Sequence, residues 1–424
     1  MAPSLPTRAL AALGLGLWLV GVQSFEGLAS TGLALAAASG LVVLARSADE
    51  RTRVLRATWP VLLWLSWALV APTLAGARPS GTGLARALDW LAVPLGAAAL
   101  GATSARTRRG LVWALAGTAL LSCMCAGLQH FGVWPDERAF DALAWTRQPY
   151  GRVYEEVPGE PGRFMGGGLL FHRLKFAHVT GLVALAALSL RTRWAIALAA
   201  ATTLSVWLFP EARLASVALL VALAVGVVQA TPRPRVALLG LTGLAVLAAL
   251  AVALSPGLRE RLSTSLTAEG SGERRHLLET GLRAVEAHPF AGVGPGNFQP
   301  ARFADGSTPA LVSENPGKAH NQLLSMAAET GIPGALLFVF SLAWLWRCSP
   351  RRALLTPVLV FFGVLGLGHD PLFQAPFSMA LVLALGASLT PPSASAGTAA
   401  ASPRSPGSPP PAGPASPGTA GTPT

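Results

Sequence analysis

Charge is what this 424-residue sequence has least of. Asp, Glu, Lys and Arg make up 12% of it, against 52% hydrophobic residues. Soluble domains carry about 25% charged residues, so the composition excludes an ordinary soluble domain and points to an integral membrane protein. Lysine is nearly absent, with Lys175 and Lys318 standing beside 30 arginines. The net charge is +12, but no lysine-rich or aromatic-interleaved patch exists, and nucleic acid is excluded as a partner. Of three cysteines, Cys123 and Cys125 lie inside an apolar run and Cys348 in a short basic loop. Without a CxxC or Cys/His spacing, neither a disulfide framework nor a metal site is implied. The first apolar run, 9–22, lacks an A-x-A cleavage site and leads straight into a second, so it reads as a span rather than a signal peptide. No internal repeat is evident.

What the sequence has is long apolar runs. A crossing of roughly 30 Å takes about 20 residues. Runs of that kind fall near 8–25, 27–45, 58–76, 88–104, 110–129, 169–190, 194–209, 213–231, 236–255, 328–347, 353–368 and 372–390, which predicts an all-α protein of about twelve transmembrane helices. Alternate short loops contain Arg8; Arg46, Arg51, Arg53 and Arg56; Arg106, Arg108 and Arg109; Arg191 and Arg193; Arg233 and Arg235; and Arg347, Arg351 and Arg352. The opposite short loops hold only Arg78, Arg86 and Arg213. The arginine-rich side is expected to be cytoplasmic, with both termini inside. Outer loops are expected over about 130–168 and 256–327. The segment 391–424 is Pro, Ser, Gly and Ala with one charge and reads as a disordered cytoplasmic tail, leaving 1–390 as the membrane domain.

The polar residues gather at outer helix ends. In KAHNQLLSMAAETGIPG, residues 318–334, Asn321 fits an N-cap and Pro333 a kink. Gly331 and Gly334 are small enough for close helix contact. A span ending at Arg347 starts near Ala328, which puts His320 roughly 12 Å further out, at headgroup height. Taken alone, His320 is either a helix end at the interface or a base near phosphate. Arg274 and Arg275 open an amphipathic stretch and meet either lipid phosphates or a ligand. Arg213 either snorkels to headgroups or aims inward at an anion. His172, Arg173, Lys175 and His178 form either a headgroup-binding rim or a phosphate cradle. His369 and Asp370 read as a helix-terminus pair and Glu329 as structural. GVGPGNF, 292–298, lacks a preceding strand and carries Pro295, so it reads as a turn rather than a dinucleotide fingerprint.

Two of these stretches together carry a resemblance. His320, Asn321, nine residues, Gly331 and Gly334 match the motif H-[N/S/Q]-x9-G-x-x-G. Arg274 and Leu282, followed by His288, Pro289, Gly292, Val293, Gly294, Gly296, Asn297 and Phe298, match a second typical stretch. In both, the chain resembles the O-antigen ligase and polymerase superfamily of bacterial membrane glycosyltransferases.

The resemblance implies a GT-C-like fold with a large periplasmic loop between spans 9 and 10, in the inner membrane. It also implies a donor glycan on undecaprenyl pyrophosphate, an acceptor such as lipid A-core, and surrounding membrane lipids. His320, Arg274 and Arg213 are then expected to be catalytic. Arg275, Asn321, His172, Arg173, Lys175, Gly331 and Gly334 are expected to bind substrate, and no metal or other cofactor is required. A ligase is favoured over a polymerase of the same superfamily. A transporter of lipid-linked glycan is expected to carry polar groups near mid-membrane, whereas these spans are largely Ala, Leu, Val and Gly.

Overall fold

The computed structural model describes residues 4–135, 155–158, 160–231, 233–254, 272–305 and 318–391. Residues 136–154, 159, 256–271 and 306–317 of the two expected outer loops, and nearly all of the expected tail, lie outside the described residues. The described chain is helical: α1 (Leu5–Gly21), α2 (Glu26–Arg46), α3 (Ala48–Leu74), α4 (Gly81–Leu88), α5 (Ala92–Ala102), α6 (Ala105–His130), α7 (Arg173–Ser189), α8 (Arg193–Leu208), α9 (Arg213–Ala230), α10 (Pro234–Leu254), α11 (Gly272–Ala287), α12 (Gln322–Cys348), α13 (Arg352–Gly366) and α14 (Ala375–Ser388). Among the described residues no strand forms, only the single bridge between Glu156 and Phe164.

Each predicted apolar run is helical over most of its length. Among the described residues, seven helical stretches are long and apolar enough to cross a membrane, and four more apolar helices are shorter. The protein is therefore a polytopic membrane protein, helical over the described residues.

Different bonds hold the two ends of the bundle. At one end of the bundle Arg53 Nη1 donates to the Leu389 carbonyl at 2.6 Å, Arg351 Nε to the Thr390 carbonyl at 2.9 Å and Ser349 Oγ to the Ser388 carbonyl at 2.9 Å. These bonds tie the α2–α3 and α12–α13 junctions to the end of α14. At the other end Lys175 pairs with Glu26, joining the starts of α7 and α2, and Gln322 Oε1 accepts from the Leu372 amide at 3.0 Å.

One break in a helix positions the site. Pro333 has no amide hydrogen, so within α12 the Glu329 carbonyl loses its helical partner. Gly331 has φ 74°, ψ 170°, outside the helical region. The freed groups are all taken up by neighbours. Val293 N donates to the Ala328 carbonyl at 2.9 Å, Gly294 N to the Glu329 carbonyl at 2.9 Å and Ile332 N to the Pro289 carbonyl at 2.8 Å, while Trp67 Nε1 donates to the Thr330 carbonyl at 3.0 Å. The glycine-rich turn 292–298 thus plugs the break in α12, which is where the two motif stretches meet.

Candidate functional site

At the mouth of α12 the chain is held by its own side chains. Asn321 Oδ1 accepts from Leu324 N at 3.0 Å and caps the helix, as its residue type predicts. Ser325 Oγ accepts from Ala319 N at 3.0 Å. Between these two anchors His320 takes a left-handed conformation, φ 53°, a strained choice for a residue with a side chain. Asn321 Nδ2 reaches the Leu367 carbonyl at 3.5 Å, and Gln322 holds the Leu372 amide. Together they draw the α13–α14 turn against the mouth of α12.

That turn carries His369 and Asp370. The His369 ring centroid lies 6.0 Å from that of His320 and 5.8 Å from that of His178. His178 is fully buried, and its Nδ1 lies 2.8 Å from Gln374 Oε1. Asp370 is buried; the Ser325 hydroxyl and His320 amide lie on its side, but neither closes a hydrogen bond with it, and both carboxylate oxygens are without one.

Burial sets the protonation of these groups. It lowers the His320 pKa from its ordinary value, with Arg274 and Lys318 adding to the effect and the Gly368 carbonyl opposing it. His369 is pushed down to about 3 by burial, then by His178, His320, Arg274 and Arg173. Burial raises Asp370 against the opposing pull of Ser325, the His320 amide, Lys318 and Arg86. It lowers Lys318, with Arg86 and Lys175 adding and Asp370 opposing. At neutral pH the site is two neutral imidazoles among cationic side chains, one face able to accept a proton and the rest suited to an anion.

The structure does not bring all the expected residues together. Arg274 lies at the start of α11, near enough to His320 and His369 to bias both. Arg213 heads α9, and its neighbour Leu214 packs against Gly368. Arg173 ion-pairs with Glu155 at 3.3 Å and Lys175 with Glu26, so both are partly neutralised. His172 caps α7, its Nδ1 accepting from Lys175 N at 3.4 Å.

Three further residues expected to bind substrate have the following surroundings. Arg275 is turned outward, its side chain 79% exposed and ion-paired with Glu279 at 2.9 Å one helical turn away. Gly331 and Gly334 are packing positions: a Cβ on Gly331 would stand 2.1 Å from the Phe290 carbonyl oxygen, and one on Gly334 2.2 Å from Thr330 Oγ1. Sequence reasoning in turn passed over Lys318, His369 and Asp370 as site residues. The available signal was a His-Asp pair in a turn between two apolar runs, on the same side as His320. Among the described residues no cluster of three or more His, Cys, Asp or Glu could hold a metal ion.

Residues 176–339 match the family model described as O-antigen ligase, and no curated protein matches the chain. The matched segment is fewer than half of the residues, but it contains Arg213, Arg274, His320 and Asn321 and both glycines of the helix break. The resemblance read from the two motifs is borne out at the level of the superfamily.

Proposed function

We propose, from the O-antigen ligase match over residues 176–339, that the chain transfers a glycan from undecaprenyl pyrophosphate to an acceptor hydroxyl, with inversion and without a metal ion. The observation that carries this reading is His320, held at the mouth of α12 between the Asn321 and Ser325 anchors with Arg274 near it. The acceptor oxygen bonds to the anomeric carbon while its proton passes to His320. The bond from that carbon to the pyrophosphate oxygen breaks, and its electron pair leaves with the pyrophosphate. A pyrophosphate needs no protonation to depart, so the two carboxylates of a glycoside hydrolase are not required. What it needs is compensation of charge. Arginine suits that task, being always charged and able to grip phosphate oxygens through a planar fork. Arg274 and Arg213 serve here, with Arg173, Lys175 and His172 forming the rim towards the headgroups.

The acceptor in this reading is lipid A-core, making the protein an O-antigen ligase of the inner membrane. The arginine-rich bundle end then faces the cytoplasm, and 391–424 is a cytoplasmic tail. The polymerase of the same superfamily is the second reading, favoured by the shared loops and arginines. The deciding experiment is incubation of the purified protein with a polyprenyl-linked glycan and lipid A-core. Glycosylated lipid A-core is the expected product; an extended polyprenyl-linked glycan would replace the ligase by the polymerase, and no transfer to either would remove both.

A further inference from the structure

His320 is not the last imidazole in its row. His369 follows it at 6.0 Å and His178 follows that at 5.8 Å, centroid to centroid. The row ends on the Gln374 side chain. Two buried ring nitrogens, Nδ1 of His320 and Nε2 of His178, lack hydrogen-bond partners, and His369 stands between their rings. A direct bond between two imidazole nitrogens needs a centroid separation of about 5 Å, for a contact near 2.9 Å. The observed spacings are therefore about 1 Å too long. Catalytic hydrogen bonds in substrate-free sites are often long and tighten on binding.

We propose that His369, held by His178 and Gln374, is a positioning residue that fixes His320 in the tautomer whose Nε2 is free to take the acceptor's proton. The polarity of the row follows from its inner end. An amide oxygen only accepts, so with Gln374 Oε1 facing it, His178 carries its hydrogen on Nδ1 and leaves Nε2 bare. His369 then donates to that nitrogen and uses its other one to accept from His320 Nδ1–H. The only bare imidazole nitrogen that no neighbour in the row donates to is His320 Nε2, at its outer end. A row of neutral rings suits this role, since His369 stays unprotonated well below neutrality. The groups that face His320 are Arg274 from α11, Lys318 from its own segment, and the Gly368 carbonyl, His369 and Asp370 from the α13–α14 turn.

The inference rests on the transfer reading above, and its test separates the two. Full-length protein labelled with ¹⁵N-histidine shows whether His320 exists as one tautomer, its Nδ1 carrying hydrogen and its Nε2 bare. In His369→Ala the two tautomers should mix. Transfer should then fall about 10²-fold in kcat with KM for the donor little changed, within the range for loss of a positioned base. His369→Gln, which offers both a donor and an acceptor, should restore most of the rate and keeps the fold if alanine does not. If His320 keeps a single Nδ1–H tautomer in His369→Ala and kcat stays within threefold of wild type, the positioning role is overturned. If the wild type transfers nothing, the functional reading falls, and the ¹⁵N pattern of the variants alone decides the positioning role.

Discussion

At the residue scale, His320 is neutral because it is buried among cations. His320 is lowered from its ordinary pKa by burial, Arg274 and Lys318. A base must be unprotonated to act, so the acid limb of kcat/KM should lie below about 6.5, the ordinary histidine value. Arg274→Ala removes a positive neighbour, which makes protonation of His320 easier, and the residual activity should lose its acid limb at higher pH. A limb that stays in place would separate Arg274 from His320. The same sign governs stability: a histidine lowered in the folded state is protonated first in the unfolded chain, so stability is lost as pH falls below about 6.5. His369, down to about 3, contributes to this, and His369→Gln should flatten the acid side of a thermal-stability profile. His320→Ala should abolish transfer, a loss of about 10² to 10⁴, while inserting and folding as the wild type does. His320 and Asn321 were legible in the sequence because cap and base sit side by side in one motif. His369 was not, since it lies in a turn joined to α12 only through Asn321, Gln322 and the packing of α13 and α14, none of which a local pattern encodes.

At the scale of elements the lesson is the break in α12. Proline at 333 announces a kink, and the structure supplies what the sequence could not: the turn that fills it. The Glu329 carbonyl is freed by Pro333 and accepts from Gly294 N, so two separate stretches of chain satisfy one another. Glu329 itself seals the joint, its Oε1 accepting from Gly296 N at 2.9 Å and facing Arg86 at 3.6 Å. The two glycines of the motif are unequal here. Gly331 combines a left-handed backbone with protein backbone where a side chain would go, whereas Gly334 meets side chains. Gly331→Ala should therefore cost more than about 2 kcal/mol, from conformational strain and overpacking together, and Gly334→Ala less. Thermal unfolding in detergent distinguishes them, and equal losses would mean the break is not what fixes the mouth of α12.

At the scale of the whole molecule the question is which end of the bundle faces which side. The arginine alternation and the packing agree that Arg53, Arg56 and Arg351 share an end with the close of α14, while His320, Lys175 and His369 share the other. Burial decides which positions can report the sides. Ser325 and Ser349 are both buried and would not react as cysteines, whereas Ala287, near the site, and Ala105, at the arginine-rich end, are exposed. With Cys348 replaced, a cysteine at 287 should label from outside intact cells with an impermeant thiol reagent, and one at 105 should not. Labelling at 105 alone would turn the molecule over and move the chemistry to the cytoplasmic face. With the site outside, the fate of the surface glycan separates the two transferase readings. Loss of a ligase leaves long glycan on the polyprenyl carrier and bare lipid A-core at the surface. Loss of a polymerase leaves lipid A-core bearing one repeat unit, because the ligase still works on what it is given. A deletion strain with bare lipid A-core is the expected outcome, since His320, Asn321, Gly331 and Gly334 complete the ligase motif at the site. A single added unit would assign the same residues to chain extension instead.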